Sequence, residues 1–410
     1  MKNKQATTII ILFYLLIIAN GSLAQVKNSI YSMYGIGQVI ENNYGINRAM
    51  GGTGIAFQSG NSINTINPAS YLGVSPNSFT IEMGIYGIYN HASDGNITQT
   101  TGDINISYFL ADLYINNWWA ISFGILPVSS VDYQINSSDQ VNGELTTYEK
   151  TYSGNGGISQ GYIGQSFKLT KRLTVGFNAA YYLGNLTQTE IGGGENSYTE
   201  YELENKKTIN GLHFNYGLQY SIEKADELYT LGLIYGSNKT LNTINDLSFT
   251  NTDTTISLEQ NNQINIRIPR NFGLGISMKK GSNFRIGLDY QWKNWAQSNF
   301  NPSIFETKNS NRLSVGMEYS PNTRESKPFG QISYRLGANY QNSYLAVNNV
   351  RINSFGVNCG IGIPMKRNNS LNFTIEYGEE GTLKKGLIKY SYWAFYLHFS
   401  LHEFWSSQNR

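Results

Sequence analysis

Residues 283–293 read Asn-Phe-Arg-Ile-Gly-Leu-Asp-Tyr-Gln-Trp-Lys, and apolar and polar side chains alternate strictly along this stretch. The apolar members are Phe284, Ile286, Leu288, Tyr290 and Trp292. A period of two indicates a β-strand, because successive side chains of a strand point to opposite faces. Residues 173–184 repeat the pattern. Each of these segments therefore predicts a strand with one apolar face and one polar face.

The same alternation of apolar and polar side chains recurs along the chain and predicts fourteen strands. They cover about 77–90, 103–112, 117–135, 149–169, 172–188, 200–222, 228–242, 258–279, 283–297, 310–320, 329–342, 351–364, 370–379 and 389–402. So many strands in an open sheet would leave edges unpaired, whereas a closed sheet has none. With the apolar face turned towards lipid, the fold is a transmembrane antiparallel β-barrel of the all-β class.

The predicted connections alternate in character. One set is short and charged, and the other is longer and rich in Asn, Ser, Thr and Gly: 91–102, 136–148, 189–199, 243–257, 298–309, 343–350 and 380–388. Bacterial barrels show short periplasmic turns and longer external loops, so both chain ends are expected in the periplasm. Tryptophans near strand ends are expected at the membrane interface, with ordinary surface positions as the alternative: Trp118, Trp119, Trp292, Trp295 and Trp405.

The first residues of the chain resemble a secretory signal peptide. Lys2 and Lys4 precede an apolar stretch at 9–18, and Ser22-Leu23-Ala24 offers small residues before Gln25. We expect residues 1–24 to be removed, the alternative being a retained membrane helix. The mature protein is then expected in the outer membrane of a Gram-negative bacterium, with the lipid bilayer as a partner.

Composition restricts the possible functions. The formal net charge of +2 is too small to indicate nucleic-acid binding. The single cysteine, Cys359, cannot form an internal disulfide. His398 and His402 are four apart, but on a strand this separates them by roughly 13 Å, too far for one metal ion. We expect no metal, no cofactor, no catalytic residues and no enzymatic activity.

Residues 25–75 precede the first clear strand and are rich in glycine. The segment is too long and too apolar for a solvated tail, and a barrel of fourteen strands leaves a lumen to be filled. We therefore predict a plug at 25–75 and a barrel at 76–410. Glycines on the predicted inward faces would leave room for such a plug: Gly84, Gly176, Gly217, Gly287, Gly316, Gly337, Gly360 and Gly378.

The segment Arg48-Ala-Met-Gly51-Gly52-Thr-Gly-Ile-Ala56, followed by Asn67-Pro68-Ala69, resembles the hatch motif of the FadL/TodX family of outer-membrane transporters. The blocks 268–275, 288–295, 312–319 and 334–337 are similar to the C-terminal half of that family. The resemblance implies a fourteen-stranded barrel with a hatch that passes small hydrophobic compounds, fatty-acid-like or aromatic. A related branch of the superfamily works in type IX secretion, and the hatch motif does not separate the branches. A structural or interaction barrel with a secretion-system partner therefore remains the alternative.

The family's lateral exit is attributed to a kink in the third strand, and this chain has Phe123, Gly124, Leu126 and Pro127 there. Proline donates no ladder hydrogen bond and glycine permits a bulge, so the wall is expected to loosen at this point. We therefore predict a lateral port at these residues. The alternative is a bulge near the rim without function.

Six charged residues are expected on the inward faces: Glu82, Arg285, Asp289, Glu318, Arg335 and Glu376. They could clamp the hatch, with Arg48 as the counterpart, or merely form a solvated polar interior. Arg267 and Arg270 flank Pro269 and are candidates for binding a ligand carboxylate, or else interface charges.

Overall fold

The computed structural model describes residues 29–140, 147–194, 200–251, 254–298, 300, 305–321 and 331–404. The predicted signal peptide, most of the predicted turn at 321–328 and Trp405 lie outside these residues. In the part of the chain described, no helix is long and apolar enough to cross a membrane.

Fourteen strands form the wall. They are β1 Ser78–Ser93, β2 Thr98–Asn116, β3 Trp119–Gln140, β4 Thr147–Lys168, β5 Leu173–Gly194, β6 Tyr201–Lys224, β7 Glu227–Gly236 with Lys239–Asn251, β8 Thr255–Ile268 with Asn271–Lys280, β9 Phe284–Lys293, β10 Ser310–Tyr319, β11 Ser333–Val347, β12 Val350–Pro364, β13 Ser370–Gly381 and β14 Lys389–Phe404. Two further strands have two residues each, Gln38–Val39 and Glu306–Thr307.

Every strand pairs antiparallel with its neighbours along the chain, and β14 pairs with β1 from Lys389↔Ser93 to Phe404↔Ser78. The last pairing closes the sheet. The predicted fourteen-stranded antiparallel barrel is therefore confirmed. Both the start of β1 and the end of β14 lie at the end of the barrel that carries the short turns.

Strands β7 and β8 are each interrupted at the same height, at residues 237–238 and 269–270. The pairs on either side, Ile268↔Lys239 and Asn271↔Gly236, keep one register. Pro269 lies in the break, and proline cannot donate a ladder hydrogen bond. The two halves of each strand therefore count as one strand of the barrel.

The wall is higher on one side. Strand β6 has 24 residues and β9 has 10, so β3 to β8 rise beyond the rim that the other strands form. The predicted long loop 243–257 is therefore mostly strand and shortens to a connection at 252–254; the predicted loops 91–102 and 343–350, outside this side of the wall, likewise shorten to connections at 94–97 and 348–349. The last is a two-residue turn in which both Asn348 and Asn349 have positive φ, at 51° and 60°, as type I′ hairpins require.

The alternation in β9 is seen directly in side-chain burial. Arg285 and Asp289 point inward and are buried, whereas Leu288 is 42% exposed on the outer face. The interfacial position expected for Trp295 is wrong. A 3₁₀ turn at Trp295–Gln297 folds over the rim, and the indole is buried on Tyr344 with ring centroids 4.4 Å apart.

The N-terminal segment, residues 29–75, contains three 3₁₀ turns at Ile30–Met33, Gly45–Met50 and Pro68–Gly73. Its turns contact inward faces of strands on opposite sides of the ring, β3 to β6 on one side and β10 to β13 on the other. The segment therefore lies within the ring of strands. Inward glycines allow the close approach: a Cβ on Gly337 would collide with the backbone of Met50 and Gly51.

Adding a side chain at Gly337 should disturb this packing. In Gly337→Val the new methyl groups would meet Met50 and Gly51, whereas in Gly161→Val they would enter open space, because a Cβ there has no neighbour within 4 Å. We expect Gly337→Val to lose roughly 1–3 kcal/mol of stability through overpacking. Thermal unfolding in detergent and protease cleavage within 45–75 measure the effect. Equal behaviour of the two variants would contradict the close packing.

Candidate functional site

The wall binds the N-terminal segment through buried charges. The Asp289 side chain on β9 accepts hydrogen bonds from the backbone N–H groups of Gly54 and Ile55, at 2.6 and 2.8 Å. The carboxylate is almost fully buried, and such charge-assisted bonds are roughly twice as strong as neutral ones. Glu82 on β1 similarly accepts from the N–H of Ile63 at 3.0 Å.

Arg48 reaches the opposite side of the ring. Its guanidinium lies 3.5 Å from the Glu376 carboxylate on β13 and 4.6 Å from the ring centroid of Tyr396 on β14. Burial alone would lower the pKa of Arg48, but Tyr396, Glu376 and Tyr44 raise it above its ordinary value. Arg48 is therefore held as a cation between two strands of the wall.

Three of the predicted luminal charges form one chain of ion pairs. Glu318 on β10 accepts from Arg285 on β9 at 2.7 Å and from Arg335 on β11 at 2.6 Å. Arg285 also donates to the carbonyl of Gln58 in the N-terminal segment at 2.8 Å. All six predicted luminal charges thus point inward. Four of them contact the N-terminal segment directly, namely Glu82, Arg285, Asp289 and Glu376, and Glu318 contacts it through Arg285. Their role as a clamp stays a prediction.

The predicted hatch motif forms two turns of this segment. Gly51 ends the turn Gly45–Met50 in the left-handed region, with φ of 68°, and Gly52 follows with φ of 82°. Asn67 begins the turn Pro68–Gly73, its side chain accepting from the N–H of Ala69 at 3.0 Å. The same side chain donates to the carbonyl of Ile55 at 2.7 Å. These residues shape the segment, and its role as a hatch stays a prediction.

Glu41 is a luminal charge that the sequence reasoning missed. It accepts from Lys293 of β9 at 2.7 Å and from Gln341 of β11 at 3.1 Å. Burial would raise the pKa of Glu41, but Lys293 and Arg312 lower it below its ordinary value. The available signal was that Glu41 is the single acidic residue in 25–75.

The wall has a gap between β2 and β3. Their ladder ends at the pair Phe109↔Ile125, although β2 continues to Thr98 and β3 to Gln140. On its other side β3 has a register shift between Pro127 and Ser129 in its ladder with β4. The loosening predicted in the third strand is thus present as a bulge and an unpaired edge.

The N-terminal segment covers part of this edge from inside. Gln38 and Val39 pair antiparallel with Ser130 and Ser129 of β3, and the N–H of Ile40 donates to the carbonyl of Val128 at 2.9 Å. This ladder is only two residues long. The opposite edge of the gap belongs to β2, where the residues from Thr98 to Tyr108 form no ladder with β3.

A cavity of about 530 Å³ lies behind the gap. Asn105, Ile106 and Ser107 of β2 and Pro127 and Ser129 of β3 line it. Ile106 is also 49% exposed on the outer face, so the gap separates the cavity from the outside of the wall by few side chains.

Of the four residues predicted for the port, Pro127 lines this cavity and accepts a hydrogen bond from the Tyr44 hydroxyl at 3.0 Å. Phe123 points outward below the gap, and Gly124 and Leu126 point inward and are buried. Pro127 is therefore the one port residue that the structure places beside the opening.

A second cavity, of about 140 Å³, lies between the N-terminal segment and β3 to β10, with Ile268 and Pro269 in its lining. Arg267 and Arg270 line neither cavity: Arg267 is half-buried, and Arg270 is exposed. The two candidates for a ligand carboxylate are thus not brought into the lumen. Among the described residues, no group of three His, Cys, Asp or Glu side chains could hold a metal ion.

The closed barrel of fourteen antiparallel strands matches the barrels of FadL-type channels. The Ralstonia pickettii toluene transporter TbuX superposes with a TM-score of 0.59 at 15% identity, over 88% of this chain and 98% of that one. The P. putida toluene transporter TodX gives 0.59 at 14% identity, over 90% and 100%. A Pseudomonas aeruginosa FadL homologue gives 0.58 at 13% identity, over 89% and 98%.

At these identities the similarity establishes the fold alone. The family model described as BamG matches residues 6–410, and the chain belongs to that family. No curated protein matches the sequence.

The lowered pKa of Glu41 predicts a pH-dependent contribution to stability. A carboxylate with a lower pKa in the folded than in the unfolded state stabilises the fold above its ordinary pKa of about 4.3. This contribution is lost as the pH falls through the folded-state pKa. We expect Glu41→Gln to lower the unfolding temperature most at neutral pH, with the difference from wild type shrinking below about pH 4. A pH-independent difference would contradict this account.

The control for this measurement is Glu306→Gln. Glu306 pairs with Lys308 at 3.4 Å, and both side chains are exposed. Exposed pairs of this kind typically contribute less than about 1 kcal/mol. The control should therefore change the unfolding temperature little at any pH.

Proposed function

We propose that this protein is an outer-membrane channel that passes small hydrophobic compounds through its lumen and out of the gap between β2 and β3. The observation that carries the proposal is the cavity of about 530 Å³ that lies directly behind this gap. The fold shared with hydrocarbon channels supports it, since channels named for toluene or monoaromatic hydrocarbons have the same barrel.

The surface beside the gap suits an apolar compound. Ile104, Ile106 and Ile125 are exposed on the outer faces of β2 and β3, where the barrel would meet lipid. A compound leaving the cavity would therefore move from one apolar environment to another without crossing water. Lateral exit requires no passage through the short-turn end, where the buried charges bind the N-terminal segment.

Opening of the gap requires few contacts to break. The two-residue ladder of Gln38 and Val39 on β3 and the hydrogen bond from Tyr44 to Pro127 cover the edge. The ion pairs and the bonds to Asp289 lie elsewhere and need not change. In this proposal the part of the segment near Gln38 acts as the gate, and the hatch motif anchors it.

The charges favour a compound without a carboxylate. Of the cations beside the larger cavity, Arg48 lies by Glu376, and Arg312 donates to Gln341 and to the carbonyl of Gly51. A fatty-acid carboxylate would have to compete with these partners. Aromatic or aliphatic compounds that lack an acid are therefore the better candidates than fatty acids.

The second candidate is an interaction barrel, for example an accessory protein of type IX secretion. The observation that favours it is the sheet of β3 to β8 beyond the rim. Ile256 and Leu258 near its tip are exposed on β8, and neither residue is needed for a channel. A partner protein would bind there and leave the gap unused.

Blocking the gap should separate the two candidates. In Asn105→Trp the indole would enter the cavity behind the opening, because Asn105 pairs with Tyr86 and both residues line the cavity, whereas in Ile104→Trp it would lie on the outer face. We expect toluene uptake into proteoliposomes, above the protein-free background, to fall about tenfold in Asn105→Trp, which corresponds to roughly 1.4 kcal/mol of added barrier. Ile104→Trp should match wild type.

Uptake by Asn105→Trp at the wild-type rate would refute the lateral route. Absence of toluene uptake by the wild-type protein, with the barrel folded, would refute transport of hydrocarbons and favour the interaction barrel. Folding is checked by the change in gel mobility on heating.

A further inference from the structure

The larger cavity is unusually rich in tyrosine. Seven tyrosines line it: Tyr31, Tyr44, Tyr86, Tyr344, Tyr390, Tyr392 and Tyr396. Several of their hydroxyls bond within the protein. Those of Tyr31, Tyr44 and Tyr344 donate to the carbonyls of Ile388, Pro127 and Gly37, at 2.7, 3.0 and 3.1 Å. A ligand therefore meets mainly the rings of these tyrosines.

Three carboxylates line the same cavity, and two of them have cationic partners. Glu41 bonds to Lys293, and Glu376 lies 3.5 Å from Arg48. The third, Glu380, accepts one hydrogen bond, from the Gln38 side chain at 3.2 Å. No cation lies within 4.0 Å of Glu380 among the residues that the structure describes.

The Glu380 carboxylate lies among these rings. It lines the cavity together with Tyr31, Tyr344, Tyr390 and Tyr392. Glu380 is half-buried, and a carboxylate that is partly shielded from water and has no cationic partner attracts cations. Tyrosine rings attract cations through their negative faces, and protein sites for quaternary ammonium groups combine such rings.

We propose that this cavity binds a small organic cation, with its ammonium group beside Glu380 and its hydrocarbon part against the tyrosine rings. Val39 and Ile40 of the N-terminal segment supply further apolar lining. The volume of about 530 Å³ falls within the range of small-molecule sites. The proposal goes beyond the proposed function, because an organic cation is a different class of compound from the neutral hydrocarbons that the channel is proposed to pass.

Gln38 connects the site with the gap. Its backbone pairs with Ser130 on the edge of β3, and its side chain donates to Glu380 on β13. An ammonium group at Glu380 would replace the Gln38 amide as the partner of the carboxylate. Binding would therefore remove one of the bonds that hold Gln38 across the opening.

The experiment compares two compounds of the same shape, benzyltrimethylammonium and its neutral analogue neopentylbenzene. Binding to the full-length protein in a non-ionic detergent is measured by calorimetry for wild type, Glu380→Gln and Glu379→Gln. Glu379 is the matched control, because it lies next in sequence, faces the other side of β13 and pairs with Lys389 at 2.8 Å.

We expect the cation to bind wild type about tenfold more tightly than the neutral compound. Glu380→Gln should remove most of that difference without weakening binding of neopentylbenzene, and Glu379→Gln should behave as wild type. Added salt should weaken binding of the cation and leave the neutral compound unaffected, since only the former is electrostatic.

Equal binding of the two compounds, or an unchanged preference in Glu380→Gln, would overturn the cation site. So would the absence of binding by benzyltrimethylammonium. Toluene uptake through the gap is measured separately on the wild-type protein without the cation, so failure of the cation site and failure of the channel are distinguishable. Gel mobility before and after heating verifies that each variant is folded.

Discussion

The structure depends on pairing of every strand edge in a wall that faces lipid. A backbone N–H or C=O without a partner costs several kcal/mol in hydrocarbon, so a sheet can cross a membrane only when it is closed. Closure is achieved where β14 pairs with β1 over 16 residue pairs. Beyond the pair Phe109↔Ile125, towards the long loops, the facing edges of β2 and β3 are not paired with each other, because the two strands separate. The chain itself covers part of that edge with Gln38 and Val39.

Closure creates a second requirement, because a ring of fourteen strands is wider than its own side chains can fill. The N-terminal segment fills the lumen and brings with it backbone groups that must also be paired. Side chains of the wall meet this need: Asp289 accepts two N–H groups, and Gln219 donates to the carbonyls of Ile55 and Phe57. Inward charges and amides of the wall thus replace water as partners of a buried, irregular segment.

Much of the barrel was predictable because alternation with period two is a local property of sequence. It gave the number of strands, the inward position of Asp289 and Glu376, and the looseness of the wall at Pro127. The height of the wall was not predictable, since Asn-rich and Thr-rich segments such as 243–251 read as loops yet form strand when a long neighbour offers a ladder. Glycine-rich inward faces indicated a filled lumen but not which residues of the segment would meet them.

Contacts between residues far apart in the chain could not be predicted, because the alternation of side chains is a local property of the sequence. Glu41 is bound by Lys293 and Gln341, which are 252 and 300 residues away in the chain. Trp295 looked like an interfacial aromatic because its position after β9 is local information, whereas its burial depends on Tyr344 of β11. Such contacts are fixed only when the ring has closed and the N-terminal segment has taken its place.

The contacts bind the N-terminal segment strongly in one part of the lumen and weakly in another. Around residues 48–67 the segment is bound by buried charges on both sides of the ring, through Arg48 and Asp289. Around residues 38–40 it is bound by a two-residue ladder and by one amide on Glu380. Breaking a buried charged contact leaves an uncompensated charge, whereas a short exposed ladder exchanges its bonds with water at little cost. In the proposed channel, the movement that opens the wall would therefore belong to the part of the segment beside the gap, with the charged part as its fixed base.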